Sequence, residues 1–301
     1  MMYAHFTTGI DGYKDNTISH GTYTLELLDT HTTNRNINQV FFDNLSVRRT
    51  KTVEVLYSGG LDSEAVLSSC TINNIPVRAI TMKLTVNNCI INTHDLYYSE
   101  KYCRQHNIEQ KIVELDVGSF FDNGDYIRYL DPYCIIEPHV ATHFWLLNQC
   151  TGFPVIGGDY RWPWHDLKLL SPLQHIYCWY DRYMIDNRID GIGSMLDHSI
   201  DSHRLLISKH MELYNTNLHD GLRDTKLGQL KKDIYESLGL GIFEKRIPNY
   251  GYDNIPRFVL NKDKYKVELI KRYGGYKSIV KWNNRIAESL NSIPGTNDRF
   301  I

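Results

Sequence analysis

The sequence predicts an α/β protein: a parallel sheet with helices on both faces, continued by a mostly helical C-terminal segment. Two observations carry this. From Val53 onward, short β-rich runs alternate with runs of helical period, the pattern of parallel βαβ units. After about Trp162 strand signals fade, and long amphipathic stretches such as "HRLLISKHMELY" and "KLGQLKKDIYESLG" take over.

Taken in order, residues 1–52 form an N-terminal extension in which "GTYTLELLDTH" and "QVFFDNL" read as strands of a hairpin packed on the main domain. The main domain is expected over 53–260. Val53 to Tyr57 is its first strand, and Glu64 to Asn73 carries apolar residues at 65, 66, 67, 70 and 72. A second strand fits Val77 to Leu84, a helix falls within Asp95 to His106, and a third strand fits Lys111 to Asp116. The segment Gly118 to Pro138 leads into a helix marked by Val140, Ala141, Phe144 and Leu147. "FPVIGGD", residues 153–159, closes the series as a fourth strand, and 261–301 is a C-terminal helical segment.

Composition narrows the function. With 42% hydrophobic and 23% charged residues and a formal net charge of -2, no global field draws the chain to nucleic acid or an anionic membrane. No run of apolar residues is long enough to span a bilayer, and "MMYAHFTTGIDGYKDN" lacks the pattern of a signal peptide. The six cysteines contain no C-x-x-C pair, so free thiols in a reducing cytoplasm are expected.

The chemistry concentrates in "VEVLYSGGLDSEAVL", residues 53–67, where a strand meets two glycines and then a helix. In an open parallel sheet, ligands bind beyond the carboxyl ends of the strands. Glycines let backbone amides approach an anion, and a helix N-terminus adds donors and positive dipole. Ser58 and Ser63 supply hydroxyls, and Asp62 is suited to a divalent cation. A pyrophosphate cradle is therefore expected. No G-x-x-x-x-G-K-[ST] occurs, and "GGYKS" at 274–278 has its glycines in the wrong place.

"SGGLDS" resembles the PP-loop of the N-type ATP pyrophosphatases, whose sheet is of the adenine-nucleotide α-hydrolase type. The resemblance implies that Ser58, Gly59, Gly60, Asp62 and Ser63 bind pyrophosphate and Mg²⁺, and that adenine lies near Leu56, Thr81 and Met82. Within that superfamily, "PHVATHFWLLNQCTGFPVIGGDYRW" is similar to the helix, strand and G-x-G-x-D-E loop of the asparagine synthetase family. It implies that Gly157 and Gly158 join the nucleotide site and that Asp159 is the second metal-binding aspartate. "MLDHSID", "KLGQLKK" and "FEKRIPNYGYDNIP" resemble later segments of that family, with Lys226, Lys245 and Arg246 as candidate cations facing the phosphates. The implied activity is that of an AMP-forming ligase, which adenylates a small carboxylate with ATP and passes the acyl group to ammonia or an amine.

Three departures shape that expectation. The family's glutaminase domain is not expected, because residue 2 is Met and the segment ahead of the loop is short. Nitrogen would then come from free ammonia, a substrate amine or a separate ammonia-supplying subunit. Where the family carries an acidic residue after the loop aspartate, this sequence has Tyr160, and the resemblance then argues against aspartate as acceptor. The late basic residues are out of register with the family. Two alternatives stand beside this reading: an enzyme modifying tRNA or a nucleotide base through an adenylated intermediate, and a nucleotide-binding module without turnover. Paired cysteines typical of thiolating members are missing, although Cys103 and Cys178 form a separated pair.

Weaker signals have plainer explanations. His139 and His143 show metal-ligand spacing on one helix face, but among thirteen histidines a structural or substrate-facing role is expected. "YRWPWHD" suits either a pocket wall or a packing loop. The lysines and arginines from Lys262 to Lys281 interleave with Val267, Leu269 and Ile270, which reads as a solvated amphipathic face.

Overall fold

A computed structural model describes residues 3–7, 22–26, 36–46, 51–158, 164–165, 168–171, 174–196, 202, 205–206, 209, 212–213, 224–241 and 262–275. Its centre is a parallel sheet. Strand β3 (Val53–Leu56) lies between β4 (Val77–Val86) and β7 (Phe153–Ile156), and β6 (Glu109–Asp116) pairs with the other side of β4. In order of appearance, these four strands lie third, second, first, fourth across the sheet. The short β5 (Cys89–Ile90) folds back antiparallel on the end of β4. Residues 191–196 extend the sheet beyond β7, where Ile192 bridges Val155 in parallel.

Alternation along each strand sends side chains to two faces, and both are covered. Val53, Val55, Tyr57 and Ala79 face a core shared with α2 (Leu61–Ile72) and α3 (Thr93–Gln105). Leu56, Ile80 and Leu84 face a second core containing Val140, Ala141 and Phe144 of α6 (Val140–Leu147) and Trp179, Tyr180 and Tyr183 of α7 (Gln174–Asp186). There Phe144 stacks on Tyr183 with centroids 4.1 Å apart, a contact adding about 0.5–1.5 kcal/mol to simple burial. The expected α/β class, its four parallel strands and its intervening helices are all present. Gly118 to Pro138 contains two short helices, α4 (Val117–Asp122) and α5 (Ile127–Leu130), and a 3-10 turn.

Two expectations are corrected. "QVFFDNL" is not a strand but lies in helix α1 (Ile37–Ser46). Asn36 Oδ1 accepts the Gln39 amide at 2.8 Å as an N-cap, and Ile37, Val40, Phe41 and Leu45 are buried at helical spacing. Strand structure also continues past Trp162. Strands β8 (Trp164–His165) and β9 (Lys168–Ser171) join β1 (Tyr3–Thr7) and β2 (Thr22–Glu26) in a separate antiparallel sheet. "GTYTLELLDTH" does hold a strand, but its hairpin partner is Tyr3–Thr7.

From Gln174 on, the described residues are mainly helical. The Asp224–Ser237 helix packs Ile234 and Tyr235 into the α2 side of the sheet, and Lys262–Arg272 packs Tyr265 and Leu269 into the other. Lys266 reaches Glu137 at 2.6 Å and Arg272 reaches Asp131 at 2.5 Å, which fits the amphipathic reading of that basic stretch. Among the described residues, no helix is long and apolar enough to cross a membrane.

Candidate functional site

Strand order reverses between β3 and β7, because β3 connects outward to β4 on one side and β7 follows on the other. A crevice opens at such a switch point, beyond the carboxyl ends of the two strands. Leu56 pairs with Ile156 as the last register of both, so Ser58–Gly59–Gly60 and Gly157–Gly158 leave the sheet side by side. The sequence separates these glycine pairs by almost a hundred residues, and the sheet brings them together.

Gly59, Gly157 and Gly158 are required by geometry. Gly59 has φ +77°, and a Cβ there would lie 2.5 Å from the Asp95 carbonyl oxygen in the first turn of α3. Gly60 is the extended N-cap of α2; its amide donates to Ser58 Oγ at 3.3 Å, and Ser63 Oγ donates to its carbonyl at 3.2 Å. Gly157 is pressed against the first turn of α2, where a Cβ would come within 2.7 Å of the Ser63 nitrogen. Gly158 has φ +102°. The result is a cradle of bare backbone at a helix N-terminus, whose first-turn amides point out of the helix.

The carboxylate of this cradle has protein partners. Asp62 Oδ2 accepts from Lys231 Nζ at 2.6 Å, and Oδ1 accepts from the Tyr235 hydroxyl. Lys231 and Tyr235 are one turn apart on one face of the Asp224–Ser237 helix. That helix is fastened beside α2 further on, where Ser68 Oγ donates to the Leu240 carbonyl. Lys231 was not among the expected cations. Its signal is legible in hindsight: it occupies a position on the buried face with Ile234 and Tyr235, where a lysine needs a partner. Lys226 lies earlier on the same helix, while Asp159, Tyr160, Lys245 and Arg246 lie outside the described residues.

Around the mouth, Leu56 is buried at the end of β3. Thr81 and Met82 lie just past the end of that strand, as Tyr57 N donates to the Ile80 carbonyl at 2.9 Å. The Thr81 side chain turns away, accepting from Gln110 Nε2 at 2.9 Å. The Met82 carbonyl accepts from Asn92 Nδ2 at 2.8 Å, and Asn92 Oδ1 accepts the Leu84 amide at 2.9 Å, pinning the end of β4.

No family model matches the chain, and no curated protein does. Several solved structures are similar to it. NMN synthetase from Francisella tularensis is 13% identical over 76% of this chain and 92% of its own, with a TM-score of 0.32. NH3-dependent NAD synthetase from Campylobacter jejuni is 14% identical over 70% of this chain and 95% of its own, with a TM-score of 0.32. The U34-tRNA thiolase NcsA from Methanococcus maripaludis is 17% identical over 86% of this chain and 78% of its own, also at 0.32. These are likenesses and no more; the site stands on its own geometry.

Other candidates resolve as structure. His143 is half-buried with Nδ1 against the Tyr180 hydroxyl, and desolvation, aided by His139, lowers its pKa from 6.5 to about 3. It is a neutral packing histidine, and among the described residues no three His, Cys, Asp or Glu side chains converge as a metal site. Burial pushes the Cys70, Cys103 and Cys150 thiols up to about 12, so they are poor nucleophiles. A cleft of about 290 Å³ beside Asp181, Arg188 and Gly191 opens where Gly191 packs on Pro154, at the amino end of β7 and away from the glycine loops.

Each oxygen of Asp62 already accepts one donor, and a divalent cation at this carboxylate would meet the Lys231 ammonium there.

Proposed function

We propose that the chain is a PP-loop enzyme that binds ATP across the β3–β7 crevice and cleaves it between the α and β phosphates. In this reading the amides of Gly59 to Ser63 and the Lys231 ammonium hold the β and γ phosphates. Leu56 and the Met82 region flank the adenine, and Gly157 and Gly158 close the cradle. A substrate carboxylate oxygen attacks the α-phosphorus, the bond to the β-phosphate oxygen breaks, and pyrophosphate leaves as an anion held by the same donors. Ammonia or an amine then attacks the acyl carbon, and AMP departs. The observation that carries this reading is the seating of Gly157 on the first turn of α2, within 2.7 Å of Ser63 for an added Cβ. A loop that only turned the chain would have no need of a second glycine pair closing over it.

The elevated Cys103 thiol argues against that residue as a sulfur carrier, which weighs for the ligase over a thiolating enzyme. The test is exchange of radiolabelled pyrophosphate into ATP, screened with amino acids, other small carboxylates and bulk tRNA. Exchange that depends on one carboxylate, and that is lost in Asp62→Ala and Asp159→Ala, is the expected result. Exchange that requires RNA would assign the chain to base modification. Exchange retained in both variants would remove the site assignment.

A further inference from the structure

We propose that Lys231 is a built-in counter-ion that lets the glycine loop bind nucleotide phosphate without a divalent cation. This deepens, and rests on, the reading of the loop as a phosphate site. A phosphate approaching the N-terminus of α2 meets the negative charge of Asp62, which a bound cation would ordinarily offset. Here the offset comes from the chain itself, through Lys231 Nζ at 2.6 Å from Asp62 Oδ2.

The pair is built in. The Lys231 side chain is 9% exposed and that of Asp62 18%, so salt screens the two weakly. Tyr235, fully buried one turn later, fixes the second carboxylate oxygen and so the plane in which Lys231 meets the first. The helix that carries both cannot drift along α2, because the Ser68 hydroxyl holds the Leu240 carbonyl and Gly241 lies close against Ser68 Oγ. An ammonium serves a carboxylate and a phosphate oxygen together. A divalent cation at Asp62 would set a second positive charge against the Lys231 ammonium and therefore competes with it.

Calorimetric titration of ATP into the full chain, once in EDTA and once in excess Mg²⁺, tests this. The wild type should bind with affinities that agree within about threefold in the two media. Lys231→Met should bind about tenfold or more weakly in EDTA and recover in Mg²⁺, since Asp62 is then released to the cation. Lys231→Arg should keep its binding in EDTA, and circular dichroism of each variant separates loss of the counter-ion from loss of fold. Wild-type binding that appears only with Mg²⁺ would overturn the counter-ion and leave the phosphate site standing. No binding in either medium would overturn both.

Discussion

At the amino end of β3, Glu54 is buried, and its oxygens accept from the Thr151 amide at 2.7 Å, the Gly152 amide at 2.8 Å, the Thr151 hydroxyl and Arg78. Beyond the carboxyl end of the same strand, Asp62 is gripped by the tips of two long side chains, Lys231 and Tyr235, amid glycines. Both carboxylates meet a cation, yet their surroundings differ. Backbone amides cannot move without moving the fold, so Glu54 works as a strut joining β3 to the start of β7. A lysine on a flexible stem can exchange partners, and bare backbone around it leaves room for a ligand. The charge pair alone does not mark a functional site; a side-chain cation beside open backbone does.

This contrast predicts unequal costs. Glu54→Ala removes a fully buried carboxylate shared by two backbone amides, a hydroxyl and Arg78, and should destabilise the protein by about 3–5 kcal/mol in urea denaturation. Asp62→Ala should cost less, about 2–3 kcal/mol, because Asp62 is the more exposed of the two carboxylates and its loss orphans no backbone amide. Equal losses for the two would erase the distinction between strut and exchangeable site.

His143 extends the comparison to a half-buried group that stays neutral. Its native pKa of about 3 lies below the ordinary 6.5, so below pH 6.5 the unfolded chain takes up a proton that the folded one refuses. The stability carried by the neutral ring is therefore complete above 6.5 and falls by about 1.4 kcal/mol per pH unit as pH drops towards 3. Denaturation at stepped pH should show this slope, and His143→Gln should flatten it. Arg272→Ala, at an exposed pair with Asp131, should leave the unfolding midpoint within error.

The parallel core was legible because each of its strands is a short β-rich run bounded by turn residues, and each connecting helix repeats apolar residues at its own period. The cradle was legible for the same reason, since its serines, glycines and aspartate are contiguous. Helix α1 was misread although Ile37, Val40, Phe41 and Leu45 already spell a helical face; the run of Val40, Phe41 and Phe42 resembles a strand when seen in isolation. Strands β8 and β9 are two and four residues long, too short for alternation to register. Lys231 reaches Asp62 across 169 positions, a partnership that only packing reveals. The family resemblance offers Lys226 without matching its register, and the buried face of the same helix carries Lys231.

Hydrogen–deuterium exchange with and without ATP tests the central claim most directly, because it reads which backbone amides meet the phosphates. Exchange should slow at Gly59 to Ser63 and at Gly157 and Gly158, with no change at Thr151 and Gly152 around Glu54. Protection confined to other segments, with the two glycine pairs unchanged, would contradict it.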